Sequence, residues 1–174
     1  MKNFCLHPSA FVSMRSVDRV REFFVQRGLT IQVKELAAST RTAQLAADAV
    51  GAPLGSIVKS LIFIAEDDRA ILALVAGDQR ADPAKIAQCV GAPNVRIATG
   101  EEVRARTSYA IGGVPPVAHA IPLETLIDDT LLRFEMVWAA AGAPNALFAI
   151  STQTLSDLTR GRVEDIVERQ KAKG

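Results

Sequence analysis

Two features of this sequence could do chemistry together. One is the loop Tyr109-Ala110-Ile111-Gly112-Gly113-Val114-Pro115-Pro116. The other is Lys59, far upstream, at the start of the apolar run Ser60-Leu61-Ile62-Phe63-Ile64-Ala65. Glycine lets a backbone approach another molecule closely, while proline fixes φ and removes a competing N–H donor. A stiff backbone cradle facing a lone cation suits a small molecule or a nucleotide end. It needs no side-chain nucleophile.

Other chemistries fit less well. His7 and His119 are the two histidines, and neither has a cysteine neighbour or an i,i+4 partner, so no metal site is expected. There is no G-x-S-x-G elbow for a serine hydrolase. His119 reads as a polar residue near a strand. Gly51-Ala52-Pro53-Leu54-Gly55-Ser56 resembles a phosphate loop only superficially, because no Gly-Lys-Ser/Thr follows. Asp128-Asp129 reads as a turn and cap before Thr130-Leu131-Leu132, or as a polar group on a pocket rim.

Lys59 has two readings. In an extended segment it shares a face with Leu61 and Phe63, while Val58, Ser60, Ile62 and Ile64 share the other. A buried unpaired ammonium is costly. Lys59 must therefore reach solvent, as a strand-end lysine does, or meet a carboxylate or an anionic ligand.

The elements that would position these groups follow from caps and periodicity. A helix is expected after Ser16 and ends at Gly28. A half-buried strand follows over Ile31–Leu36. Thr42 caps a helix over Ala43–Val50, closed by Gly51, and Pro53 opens a short turn. Ser60–Ala65 and Ala70–Ala76 form a hairpin around Glu66-Asp67-Asp68-Arg69. Asp82-Pro83 opens a helix through Val90, and Gly100 begins another to about Arg106. Val117–Ile121, Leu126-Ile127, Phe134–Ala139 and Leu147–Ile150 read as strands. A helical turn runs through Leu158, and Val163–Lys171 reads as a polar helix. Strands neighbouring one another among irregular helices predict a mixed, partly antiparallel sheet and not a regular doubly wound fold.

Bulk properties bound the function. The 174 residues are 49% hydrophobic, enough for one core, with residues 1–14 expected to be a loose extension of the domain over 15–174. A net charge of +1 argues against a DNA-binding protein or one that holds nucleic acid by charge alone. Cys5 and Cys89 form no disulfide or metal pattern, which fits a reducing cytoplasm. No segment approaches the ~18 apolar residues of a membrane span, and the N-terminus lacks a signal-like stretch. A soluble cytoplasmic protein without membrane contact is expected.

Several stretches together resemble the YbaK / prolyl-tRNA synthetase-associated editing-domain family. They are Thr42–Gly51, Ile57-Val58-Lys59-Ser60-Leu61-Ile62-Phe63, the loop Tyr109–Pro116 and the glycine-containing Val137–Phe148, within a similarity running from about Ser16 to Ile166. The resemblance implies a compact α/β (α+β) domain with a mixed, largely antiparallel, barrel-like sheet and peripheral helices. It implies hydrolysis of mischarged aminoacyl-tRNA, most often tRNA(Pro), by a substrate-assisted route with no covalent intermediate, cofactor or metal. Lys59 becomes the catalytic residue. Ser60, Gly112, Gly113, Val114, Pro115, Pro116, Asp129 and Gly142 become substrate-binding residues. The implied partners are the 3′ end of aminoacyl-tRNA and a helper such as prolyl-tRNA synthetase or elongation factor. Ser60 and Ser108 depart from the pattern of some relatives, which leaves the amino acid open among small residues. A non-catalytic module that binds a tRNA end or nucleotide remains the alternative.

Overall fold

Local signals build most of the elements. In a computed structural model, which describes residues 14–169, Thr42 accepts a hydrogen bond from the Leu45 N–H and starts a helix at Ala43. Asp82 does the same for the helix that opens at Pro83. Thr99 and Glu102 form a reciprocal capping box ahead of the helix Gly100–Thr107. The helices are α1 (Ser16–Val25), α2 (Ala43–Val50), α3 (Pro83–Val90), α4 (Gly100–Thr107) and α5 (Thr152–Thr159).

Eight strands form one mixed sheet: β1 (Val33–Glu35), β2 (Ile57–Ala65), β3 (Ala70–Ala76), β4 (Val95–Ile97), β5 (Glu124–Asp128), β6 (Met136–Ala140), β7 (Ala146–Ser151) and β8 (Arg162–Glu164). Their order is β1-β7-β6-β2-β3-β5-β8, with β4 beside β2. The β2–β3 hairpin, β2–β4, β6–β7 and β1–β7 pairings are antiparallel; β2–β6, β3–β5 and β5–β8 are parallel. The mixed α/β domain expected from the sequence is the one formed.

Both faces of the sheet are covered, which is why β2 and β3 read as nearly continuous apolar runs. Val58, Ile62 and Ile64 point into a cluster with Phe24 of α1, Val103 of α4 and Leu155 of α5. Phe63 and Leu61 lie on the other face with Ile86 and Val90 of α3. The alternation anticipated along β2 is thus used on both sides. Ala46 and Ala47 bring α2 against Ile57 and Leu147.

Two expected elements differ. Val163–Lys171 is not a helix over its described part. Arg162–Glu164 pairs parallel with β5, and Val167 bridges Ala81. The helical spacing of Val163, Ile166 and Val167 misleads because Ile166 and Val167 instead bury against α3, where Ile166 is fully covered. Val117–Ile121 is not a strand either. Val117 and Ala118 are buried without a strand partner, and Ala118 sits at φ 63°. The short strand β4 was not anticipated. The expected extension at residues 1–14 lies outside the described residues, apart from Met14.

The 109–119 segment is irregular but pinned by side chains. The Tyr109 hydroxyl donates to the Ala118 carbonyl at 2.8 Å, and Arg19 donates to the Ser108 carbonyl at 3.0 Å. The Arg19 guanidinium also lies over the Tyr109 ring. His119 stacks edge-on against Tyr109, with Nε2 2.8 Å from the Pro115 carbonyl. Its Nδ1 is buried without a partner. Burial, and secondarily the Arg19 charge, push the His119 pKa down to about 4, against the opposing bond to Pro115. The imidazole is therefore neutral at pH 7, with Nε2–H donating. A proton on Nδ1 would create a buried donor facing no acceptor. Because the folded pKa lies below the unfolded value, this stability is complete above pH 6.5 and is lost as pH falls from 6.5 towards 4. The slope is at most about 1.4 kcal/mol per pH unit. Denaturant unfolding at pH 7 and pH 5 is expected to show this loss in the wild type and a smaller one in His119→Gln. Equal losses in both would contradict the assignment.

Candidate active site

Strand β2 has β3 along one edge. Its other edge is shared: β6 takes Ile57 and Val58, and β4 takes Phe63 to Ala65. Between them the Ile62 carbonyl accepts only the Ala98 N–H, at 2.8 Å. Backbone groups alternate along a strand, so Ser60 directs its N–H and C=O to the same edge as Ile62. Neither a strand nor a loop among the described residues pairs them there. Buried backbone groups are almost always paired. This stretch of edge is therefore an opening that a ligand's own polar groups can complete.

A cavity of about 310 Å³ occupies the opening. One wall is small and apolar: Ala43 and Ala46 of α2, Ile57 and Leu147. Ala98 and Val103 line the opposite side, and Gly112 and Val114 of the loop reach in from above. Thr40 and Arg41, just before the α2 cap, close the rim.

The loop enters close to its neighbours. Gly112 sits at φ 83°, and a Cβ built there would lie 3.6 Å from the Arg41 Cα. At Gly113 a Cβ would come within 2.8 Å of the Ala143 Cα, so a larger residue would push the loop off the β6–β7 turn. The glycines thus let the loop bridge between the α2 rim and that turn.

Lys59 lines the cavity, and its Nζ donates to the Gln79 carbonyl in the turn after β3. Burial lowers its pKa below the usual lysine value, while the nearby Asp78 and Asp128 carboxylates oppose that shift. Asp78 is itself held by the Arg133 guanidinium, Nη2 donating to Oδ1 at 2.8 Å and both Nη1 and Nη2 to Oδ2 at 3.0 Å. Asp128 is fully buried and accepts from the N–H groups of Ala76 and Thr130, the capping role read from its sequence. The lysine thus donates to a carbonyl and lies in the field of two carboxylates. As a lining residue, Lys59 is a candidate donor to a carbonyl oxygen held in the cavity.

Of the residues expected at the site, Lys59, Ser60, Gly112 and Val114 come together around the cavity. The Ser60 Oγ is buried and unpartnered. Gly113, Pro115 and Pro116 lie behind the rim and hold the loop, with the Pro115 carbonyl taking His119. Gly142 packs on the Ser16 carbonyl, where a built Cβ would lie 2.5 Å from the oxygen, and it does not line the cavity. Asp129 stands apart from it and pairs with Arg169 at 3.2 Å. Arg41 and Ile97 were not singled out from the sequence. The only signal for Arg41 was its place between Thr40 and the cap Thr42. Among the described residues no group of three His, Cys, Asp or Glu side chains could hold a metal ion, and no helix is long and apolar enough to cross a membrane.

Residues 37–158 match the model of the aminoacyl-tRNA editing domain. The chain is 34% identical over 148 residues to YwhH of Bacillus subtilis, an alignment covering 85% of this chain and 94% of that one. It is 22% identical over 129 residues to EbsC of Enterococcus faecalis, described as a candidate Cys-tRNA(Pro)/Cys-tRNA(Cys) deacylase, covering 74% and 79% of the two chains. A solved structure, described as a candidate trans-editing enzyme for prolyl-tRNA synthetase, superposes with a TM-score of 0.83 at 48% identity, covering 90% of this chain and 99% of that one. The cavity at the β2 edge lies within the matched span, and the chain belongs to the aminoacyl-tRNA editing domain family.

Proposed function

We propose that this protein is an aminoacyl-tRNA deacylase that removes a small non-cognate amino acid from the 3′ end of tRNA(Pro). The observation that carries the reading is the convergence of Lys59, the unpaired Ser60 backbone and the Gly112 loop on one small cavity inside the family's matched span. A volume of about 310 Å³ is at the low end for ligand sites and suits a short side chain with its ribose. The tRNA(Pro) assignment is supported by the substrates and partner for which EbsC and the structural relative are named. A synthetase or elongation factor is the proposed helper, because a net charge of +1 gives little hold on tRNA by itself.

The reaction needs positioning more than a nucleophile. Water attacks the ester carbonyl carbon, the carbonyl oxygen takes the charge, and the bond to the ribose oxygen breaks. The ribose oxygen leaves with a proton, and the amino acid is released as its free acid. Lys59 stabilises the oxyanion, the Gly112–Val114 backbone holds the aminoacyl end, and the neighbouring ribose hydroxyl helps orient the water. Neither an acyl-enzyme nor Cys89 takes part.

Lys59→Ala is expected to lower deacylation of mischarged tRNA(Pro) by about 10²–10³-fold, the range for losing one oxyanion donor. The protein should still fold, as circular dichroism would show. Wild-type turnover in that variant would sink the mechanism. The active form is the ammonium, and burial lowers its pKa, so the rate should fall on the alkaline side below the usual lysine range. Asp78→Asn removes a carboxylate that favours the ammonium and should move that limb to still lower pH. An unmoved limb would contradict the role given to Lys59.

A further inference from the structure

The cavity is bordered by two cations in different electrostatic settings. Lys59 lies near Asp78 and Asp128, with Arg133 bound to Asp78. Two cations beside two carboxylates leave that corner without formal net charge, and the Lys59 Nζ already donates to Gln79. A phosphate there would meet two carboxylates as well as the ammonium. A neutral carbonyl, which needs a donor and not a net charge, is the better guest.

Arg41 is the opposite case. It is exposed on the rim, lines the cavity and makes no hydrogen bond or ion pair among the described residues. Its backbone packs beside Gly112, which fixes where the side chain begins. No carboxylate lines the cavity with it. A guanidinium offers a planar set of donors that matches a phosphate's oxygens. The same cavity also carries two large aliphatic side chains that are among the most exposed of the described residues, Ile97 at 55% and Ile111 at 60%. An apolar surface beside an uncompensated cation suits a nucleotide, with a flat base or sugar face and an anionic phosphate, better than an inorganic anion or a free amino acid.

We infer that Arg41, not Lys59, takes the phosphate of the terminal nucleotide, with the nucleoside lying against Ile97 and Ile111 and Lys59 left for the ester carbonyl. This division of roles rests on the deacylase reading of the cavity, and it divides binding from chemistry. Arg41 selects a nucleotide-linked acyl group, and Lys59 acts on the acyl group itself.

The test uses adenosine and adenosine 5′-monophosphate, whose phosphate stands in for the terminal phosphodiester. At low salt, titration followed by backbone amide shifts is expected to show the monophosphate binding the wild type about tenfold more tightly than adenosine. Arg41→Gln should abolish that preference, Arg41→Lys should restore part of it, and Lys59→Met should keep it. No preference in the wild type, a preference surviving Arg41→Gln, or one lost in Lys59→Met would each overturn the assignment. A parallel assay uses 2′(3′)-O-alanyl-adenosine with and without a 5′-phosphate. Arg41→Gln should raise KM for the phosphorylated ester alone, while Lys59→Met should lower kcat for both. Equal effects of Arg41→Gln on the two esters would also overturn it. Lys59-independent hydrolysis would instead defeat the deacylase mechanism while leaving the monophosphate preference intact, so the two failures are distinguishable.

Discussion

Everything at the site depends on one interruption in hydrogen bonding. Strand β2 is nine residues long, but its second edge is divided between β6 at one end and β4 at the other. A single neighbour along that edge would have paired Ser60 and filled the cavity. The sheet instead leaves a short length of backbone unpaired inside an apolar pocket. That arrangement is unfavourable on its own. It becomes useful when an extended, polar ligand end lies along the gap.

The surroundings make the gap rigid. β3 holds the far edge of β2 over seven residue pairs, so the open side cannot close by sliding. The loop above it has no ladder of its own and is held by Tyr109, His119 and Arg19. Its glycines meet the α2 rim on one side and the β6–β7 turn on the other. Lys59 is held from beneath by the Gln79 carbonyl, in a turn that the Asp78–Arg133 pair ties to the segment after β5. Catalysis by placement needs this kind of support, because a displacement of about 1 Å is enough to lose much of the rate.

The parts legible in the sequence were those set by neighbours along the chain. Thr42 and Asp82 each announced a helix through a cap within three residues, Gly100 marked the start of another whose Thr99 cap was not singled out, and the β2–β3 hairpin followed from its turn. Lys59 and Gly112 could be singled out because their residue types are unusual beside an apolar strand and a proline-rich turn. The gap itself was not legible, since it is made by β4 and β6, which approach β2 from later in the chain. Val163, Ile166 and Val167 had helical spacing, yet the free edge of β5 and the face of α3 outweighed that local pattern. Asp129 looked like a rim carboxylate and instead pairs with Arg169, a contact across forty residues. Arg41 gave almost no signal, because its importance comes from what lies beside it in space.

The central claim is that the substrate's aminoacyl end completes the unpaired edge of β2. The most direct measurement is a structure of the complex with 3′-alanylamino-3′-deoxyadenosine, whose amide replaces the ester and resists hydrolysis. The account predicts hydrogen bonds from this ligand to the Ser60 backbone, its carbonyl oxygen on the Lys59 Nζ and its methyl group among Ala43, Ala46 and Leu147. A ligand seated elsewhere, with the Ser60 N–H and C=O still unpaired, would contradict it.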